Sequence, residues 1–291
     1  MTEDELRQER AAKWHLDGRP VRTLEEAKGF VDSVGFCLMY PTRPAVPVPT
    51  FVGAWVGAEE RLPTQQHAYA DARAVEATEL MVRTLRSKAA FEGPLIDENN
   101  AFLVSAAVFP YFYALVGERN PKHAPRSDTR SGYSQVACDA FAVIRKQGPI
   151  SKQKLLEELG KGISTVGLDR ALAELWAKLR ITRVDYSEAE GSVWDELSRW
   201  APKEVWEGVS VSVAEALSAL VSKYLDCMVA VEAAEVELFF SHFVARSKVK
   251  EAINALLAAR ELDYLHVGGK ALLRIAPPKE AFVPRPRAER A

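Results

Sequence analysis

The side chains of this sequence best suited to act on another molecule are cations and hydroxyls. Thr165, Arg170 and Lys178 lie in one stretch, Arg246, Ser247, Lys248 and Lys250 in a second, and Lys270 follows the second. Such groups donate to phosphate oxygens, Arg as a planar fork and Lys as a point charge. The histidines (His15, His67, His123, His242, His266) and cysteines (Cys37, Cys138, Cys227) lack metal-ligand spacing, so no metal site is expected and each cysteine reads as a small core residue. Asp32 and Ser33 read as a local cap, and Asp97, Glu98 and Asn99 as a solvated acidic loop. Glycine-rich phosphate loops are absent, no cofactor is expected, and no catalytic residue can be named.

Helices must present these cations, and the sequence supplies a suitable plan twice. From Gln135 an apolar helix runs to the Gly148-Pro149 breaker, and Ser151 stands as N-cap of a second helix bearing Leu155, Leu156 and Leu159. Gly160 and Gly162 read as left-handed caps at its end. Ser164 then caps a third helix in which Val166, Ala171, Leu172, Leu175, Trp176 and Leu179 are expected to pack, leaving Thr165, Asp169, Arg170, Glu174 and Lys178 facing out. The alternating run Ile181 to Tyr186, the turn at Glu190-Gly191-Ser192 and the VWDEL segment complete a hairpin.

The second copy begins with the S-x-x-E capping box of Ser212 and Glu215, ahead of a helix carrying Ala216, Leu217, Leu220, Val221, Tyr224 and Leu225. VEAAEVELFFS and ARSKVKEAINALLAARE read as its second and third helices. LDYLHV and KALLRI flank Gly268-Gly269, a pair suited to a two-residue primed turn. The expected fold is therefore mainly α with small β-hairpin wings, two winged helix-turn-helix domains in tandem (135–205 and 206–276).

Upstream, residues 1–118 read as a helical domain. Thr2 and Glu5 open a charged helix, and Thr23 with Glu26 cap a second with Leu24, Ala27, Phe30, Val31 and Val34 buried. Prolines 41, 44, 47 and 49 make the next stretch a loop. A helix from Asp71 to Lys88 is expected to bury Val75, Met81, Val82 and Leu85, and the aromatic run around Phe102, Phe109, Tyr111, Phe112 and Tyr113 reads as core. Residues 119–134 read as a linker and 277–291 as a tail.

Charge sets a limit on any nucleic-acid reading. Lys and Arg total 38 against 40 Asp and Glu, a net charge of -2, so phosphate contacts must be local. Three places could supply them: the basic run from Arg119 to Arg130, the helix start at Arg246, Lys248 and Lys250 with His242 before it, and the tail with Arg285, Arg287 and Arg290. The charged N-terminus and the lack of a continuous apolar span lead to the expectation of a cytoplasmic, soluble protein with no membrane partner.

The order VDSVGF, KAAFEG, LVSAAVFP, linker, GPIS helix pair and second hairpin resembles the winged-helix DNA glycosylases of the AlkZ/YcaQ type, over roughly Thr23 to Ile275. The resemblance implies a concave surface that holds duplex DNA, removal of alkylated or crosslinked bases, and a further helix-turn-helix unit at the N-terminus. The family's signature of glutamine, an apolar residue, then glutamine or aspartate does not occur. Gln65, Gln66, Gln135, Gln147 and Gln153 stand in other contexts, and only APPKEAFVPRPRAERA follows Ile275. The family's aromatic-histidine segment is also missing, with Asn100, Ala101 and Val104 near its place. Three readings follow: a duplex-DNA binder related to repair, an active glycosylase, and a scaffold for a protein partner.

Overall fold

The computed structural model describes residues 1–42, 45–68, 70–93, 100–128, 132–187 and 189–277. The acidic loop around Asp97 and the basic tail lie outside them, as does Arg130.

Local side-chain bonds start most helices where the sequence placed them. In α1 (Glu3–Lys13) and α2 (Leu24–Val34), Thr2 with Glu5 and Thr23 with Glu26 form reciprocal capping boxes. Ala27, Phe30, Val31 and Val34 fall on one face of α2 and are buried, and the helix stops at Gly35 with φ +79°. Strand β1 (Phe36–Leu38) follows, then the proline loop. Next come α3 (Phe51–Val56), α4 (Ala72–Arg86), β2 (Ala90–Glu92), β3 (Phe102–Ser105) and α5 (Phe109–Val116). The three strands form an antiparallel sheet in the order β1-β3-β2, where helices and loops alone were expected. Each strand is three or four residues long and buried on both faces, so neither length nor alternation marks it.

The second body comprises α6 (Gln135–Gln147), β4 (Ile150–Ser151), α7 (Lys152–Leu159), α8 (Thr165–Trp176), β5 (Ile181–Ser187) and β6 (Gly191–Glu196), followed by α9 (Leu197–Trp200) and α10 (Pro202–Ser210). Strand β4 adds a third strand to the hairpin, in the order β4-β6-β5. The third body comprises α11 (Val213–Met228), α12 (Ala233–Phe240), α13 (Arg246–Ala258), β7 (Leu262–Val267) and β8 (Lys270–Ile275). Gly268 and Gly269 turn its hairpin with φ +57° and +80°, the geometry a primed turn demands.

Several local expectations need correction. Val166 is 62% exposed and Leu168 is buried instead. At roughly 100° per residue, Val166 lies across the helix from Leu168 and Leu175. Val75 is also exposed, because α4 buries Ala74 and Ala77 on the adjoining face. Gly160 has positive φ but extended ψ (173°), and Gly162 does not have positive φ, so α7 does not end in a left-handed cap. Ser212 Oγ accepts from Glu215 N at 3.2 Å without the reciprocal half of the box. Cys37 and Cys227 are buried, whereas Cys138 is half-buried.

Ser212→Ala removes the side-chain acceptor at the start of the long helix α11. It should lower unfolding free energy by about 1 kcal/mol in a denaturant titration. An unchanged midpoint would mean that solvent caps this end equally well.

One hydrophobic cluster draws on all three bodies, beside a second made almost wholly of N-terminal residues. Phe239 of α12 stacks on Tyr224 of α11 (4.9 Å between ring centres) and on Phe36 of β1 (5.4 Å), and Phe36 meets Phe102 and Phe112. Tyr224 also donates its hydroxyl to Pro47 O at 3.0 Å, fixing the proline loop to α11. The start of the expected linker is fastened as well: Arg119 donates to the carbonyls of Ala114, Val209 and Val211, and Arg145 to that of Lys122. Among the described residues no single helix is long and apolar enough to cross a membrane. The bent pair α10 and α11 passes on composition together, but α11 buries its apolar face in this core.

Candidate nucleic-acid interface

Two exposed helix starts carry the candidate side chains. At α8, Ser164 Oγ accepts from Gly167 N at 3.1 Å and sets the first turn, while Leu168, Leu172 and Leu175 anchor the opposite face. Thr165, Val166, Asp169 and Arg170 are exposed there. Lys152 of α7 pairs with Asp169 at 2.6 Å, which leaves Arg170 as a cation without a partner among the described residues. Lys161, just before the helix, is likewise exposed. Lys178 does not share this face. The helix ends at Trp176, and the Lys178 ammonium lies 4.3 Å from the Tyr133 ring centre.

At α13 the N-cap is Ala245, which offers no side-chain acceptor, so the first-turn N–H groups have no side-chain cap. Unpaired N–H groups and the helix dipole favour an anion at such an end. Arg246, Ser247, Lys248 and Lys250 are all exposed around it, and Val249, Ile253 and Leu256 hold the helix to the core. No other part of the described chain covers them. Carboxylates already stand beside these cations: Glu237 accepts from Arg246 Nε at 2.6 Å and lies 3.7 Å from Lys250 Nζ, and Glu251 is 2.9 Å from Lys248. The exposed Lys248–Glu251 pair is worth about 0–1 kcal/mol and yields to an incoming phosphate at small cost, whereas Glu237 is only 13% exposed and holds Arg246 and Lys250 more firmly.

Lys270 has different surroundings. Its ammonium is 2.6 Å from Glu232, whose hydrogen bond holds the lysine above its ordinary pKa, aided by the charges of Glu232, Glu235 and Glu3. The turn at Gly268 packs directly on Glu3 of α1. Helix α1 is itself tied down, with Arg10 donating to Met228 O and Ala230 O and Trp14 to Cys227 O. The first hairpin is engaged too. Arg183 of β5 binds buried Glu92 of β2 through its Nε and one terminal nitrogen, and Asp185 pairs with Arg86 of α4.

Both hairpins thus dock on the protein's own N-terminal part, and the helix starts remain open. Sequence reasoning missed Val166 as a surface group and Lys161 altogether. Helical angle alone would have found the first, and the second precedes an N-cap.

Ser33 Oγ donates to Phe30 O, and Asn100 is buried with both amide ends on the Tyr40 backbone. The buried carboxylates Glu92, Asp195 and Glu196 each pair with an arginine: Arg183, Arg199 and Arg145. Among the described residues no three His, Cys, Asp or Glu side chains gather as metal ligands.

The AlkZ-like family profile, described as DNA glycosylase AlkZ-like, matches residues 56–291. The chain belongs to this family. Among solved structures it is similar to the Streptomyces sahachiroi DNA glycosylase AlkZ, with TM-score 0.62 and 10% identity, covering 94% of this chain and 70% of that one. At that identity the likeness speaks for the fold. No curated protein matches.

Proposed function

We propose that the chain is a DNA-repair-related protein that grips duplex DNA through two winged helix-turn-helix units, residues 135–205 and 206–276. The observation that carries this is the pair of third helices whose first turns are exposed, bear cations and are anchored by a buried opposite face. In this reading Arg246, Ser247, Lys248 and Lys250 meet phosphates at the uncapped start of α13, while Thr165 and Arg170 do so at α8. Contacts to phosphate rather than base edges give a salt-dependent, weakly selective grip. Lys178 and Lys270 contribute less, because aromatic and acidic neighbours occupy them.

Charge reversal tests this. The double substitution Lys248→Glu, Lys250→Glu should weaken duplex binding uniformly across sequences and reduce the slope of log K against log salt by about 2. A gel-shift titration reads both quantities. Undetectable binding of the unaltered chain at low salt, or indifference to the double substitution, sinks the proposal.

The family's hydrolytic step is not part of this reading: among the described residues the buried carboxylates Glu92, Asp195 and Glu196 are each committed to an arginine. Water activation needs a group free to hold it near the sugar. Family membership favours the second reading, an active glycosylase for alkylated or crosslinked bases. Abasic product from such a duplex, above a heat-killed control, would select it.

A further inference from the structure

One carboxylate beside the cations of α13 differs from the others. Glu237 comes from α12 and is largely buried, whereas its two neighbours Arg246 and Lys250 are more than half exposed. A single oxygen, Oε2, accepts from Arg246 Nε at 2.6 Å and stands 3.7 Å from Lys250 Nζ. The other oxygen of Glu237 and the two terminal nitrogens of Arg246 make no hydrogen bond among the described residues.

The ion pair that fastens β5 to β2 is built in another way. Glu92 receives Arg183 through Nε and a terminal nitrogen and has both of its oxygens in use. Paired bonds of that kind fix a guanidinium in one orientation, and a single bond does not. Glu237 therefore neutralises its cations more than it orients them. Nor do α12 and α13 need it to stay together, since Val236, Phe240, Val249 and Ile253 belong to one buried apolar cluster.

A backbone phosphate would bring an oxyanion to the same guanidinium and ammonium donors. That place is already held by Oε2. The patch sets three cations (Arg246, Lys248, Lys250) against two carboxylates (Glu237, Glu251), and loss of Glu237 would double its net charge from one to two.

We infer that Glu237 is an internal counter-ion that competes with phosphate for Arg246 and Lys250 and so limits the affinity of the α13 face for a nucleic-acid backbone. Binding is then an exchange of one anion for another, and the chain holds DNA less tightly than its exposed cations would allow. This rests on the duplex-binding reading above and adds what restrains that site.

The decisive variant is Glu237→Gln in the full chain. It keeps the shape of the side chain and an acceptor for Arg246 Nε, so the fold is retained and only the charge is lost. Gel-shift titration at one fixed salt concentration should show duplex binding tightened about tenfold, as expected when a like charge leaves a surface that faces phosphates. Glu9→Gln removes the same formal charge from the exposed side of α1 and should change binding by less than about twofold. In the background Arg246→Ala, Lys250→Ala, the gain from Glu237→Gln should vanish, a coupling that a merely structural role would not produce.

Two failures are kept apart. If the unaltered chain or the variant binds duplex, equal or weaker binding by Glu237→Gln overturns the inference, as does a gain that persists without Arg246 and Lys250, and duplex binding itself stands. If neither binds duplex at low salt, the DNA reading fails, and retention on heparin, a sulfated polyanion that needs only cations, decides instead. Later elution of Glu237→Gln that depends on Arg246 and Lys250 upholds the counter-ion. Equal, earlier or cation-independent elution, or no retention of either chain, overturns it.

Discussion

Arg183→Ala should lower the unfolding free energy by about 3 kcal/mol, as much as truncating a core side chain. Glu92 is fully buried in β2, and its carboxylate accepts from Arg183 Nε at 2.9 Å as well as from the terminal nitrogen. Removing the arginine leaves a charge in low dielectric with no partner, for which loss of one member of a buried pair costs about 3–5 kcal/mol. The lower figure applies because the Arg183 side chain is 25% exposed and water can enter as it leaves. The melting temperature should fall by about 2–4 °C per kcal/mol. The double replacement Glu92→Leu, Arg183→Met should recover most of the loss, since an apolar pair of similar size needs no desolvated charge. A denaturant-based double-mutant cycle reads both. A loss below about 1 kcal/mol for the single variant would show that this pair is solvated and does not fasten β5 to β2.

That ion pair illustrates what could be read from the sequence and what could not. Thr2, Thr23, Ser151, Ser164 and Ser212 each accept a backbone N–H at a helix start, and each was legible because its partner is three residues away. Both hairpins were legible for the same reason, through alternation and glycine turns. Glu92 and Arg183 are 91 residues apart, and nothing in either neighbourhood announces the other. The sheet β1-β3-β2 was hidden because its strands are short and buried on both faces, so its residues read as part of an apolar run.

The candidate site shows the same division. Arg246, Ser247, Lys248 and Lys250 were placed correctly at the start of a helix, since that depends on local periodicity. Their carboxylate neighbour Glu237 comes from another helix, and Lys178 lies beside the Tyr133 ring, past the end of α8. The burial of Tyr133 and Arg180 left no sequence signal at all. A tyrosine and an arginine flanking a helix are ordinary until the chain folds back on them.

Phe239→Ala should cost about 3–5 kcal/mol and should do so in a single unfolding transition. The ring is 1% exposed and sits where the N-terminal sheet meets the third body. It stacks on Tyr224 and Phe36, with Phe240 and Phe243 edge-on at 5.0 and 5.8 Å. Truncation loses the transfer energy of the ring and leaves a cavity that neighbours from α11, α12 and β1 cannot easily fill, because each is held by its own element. The stack joins residues on both sides of the proposed boundaries at 118 and 206, so its loss should destabilise the whole chain rather than one part. Calorimetry distinguishes the outcomes. One cooperative peak shifted to lower temperature would mean that the helix starts of α8 and α13 are carried on one shared core. A separate early transition, with the rest unchanged, would mean that the third body folds alone, and a fixed relation between the two candidate DNA-binding faces would then have to come from the ligand.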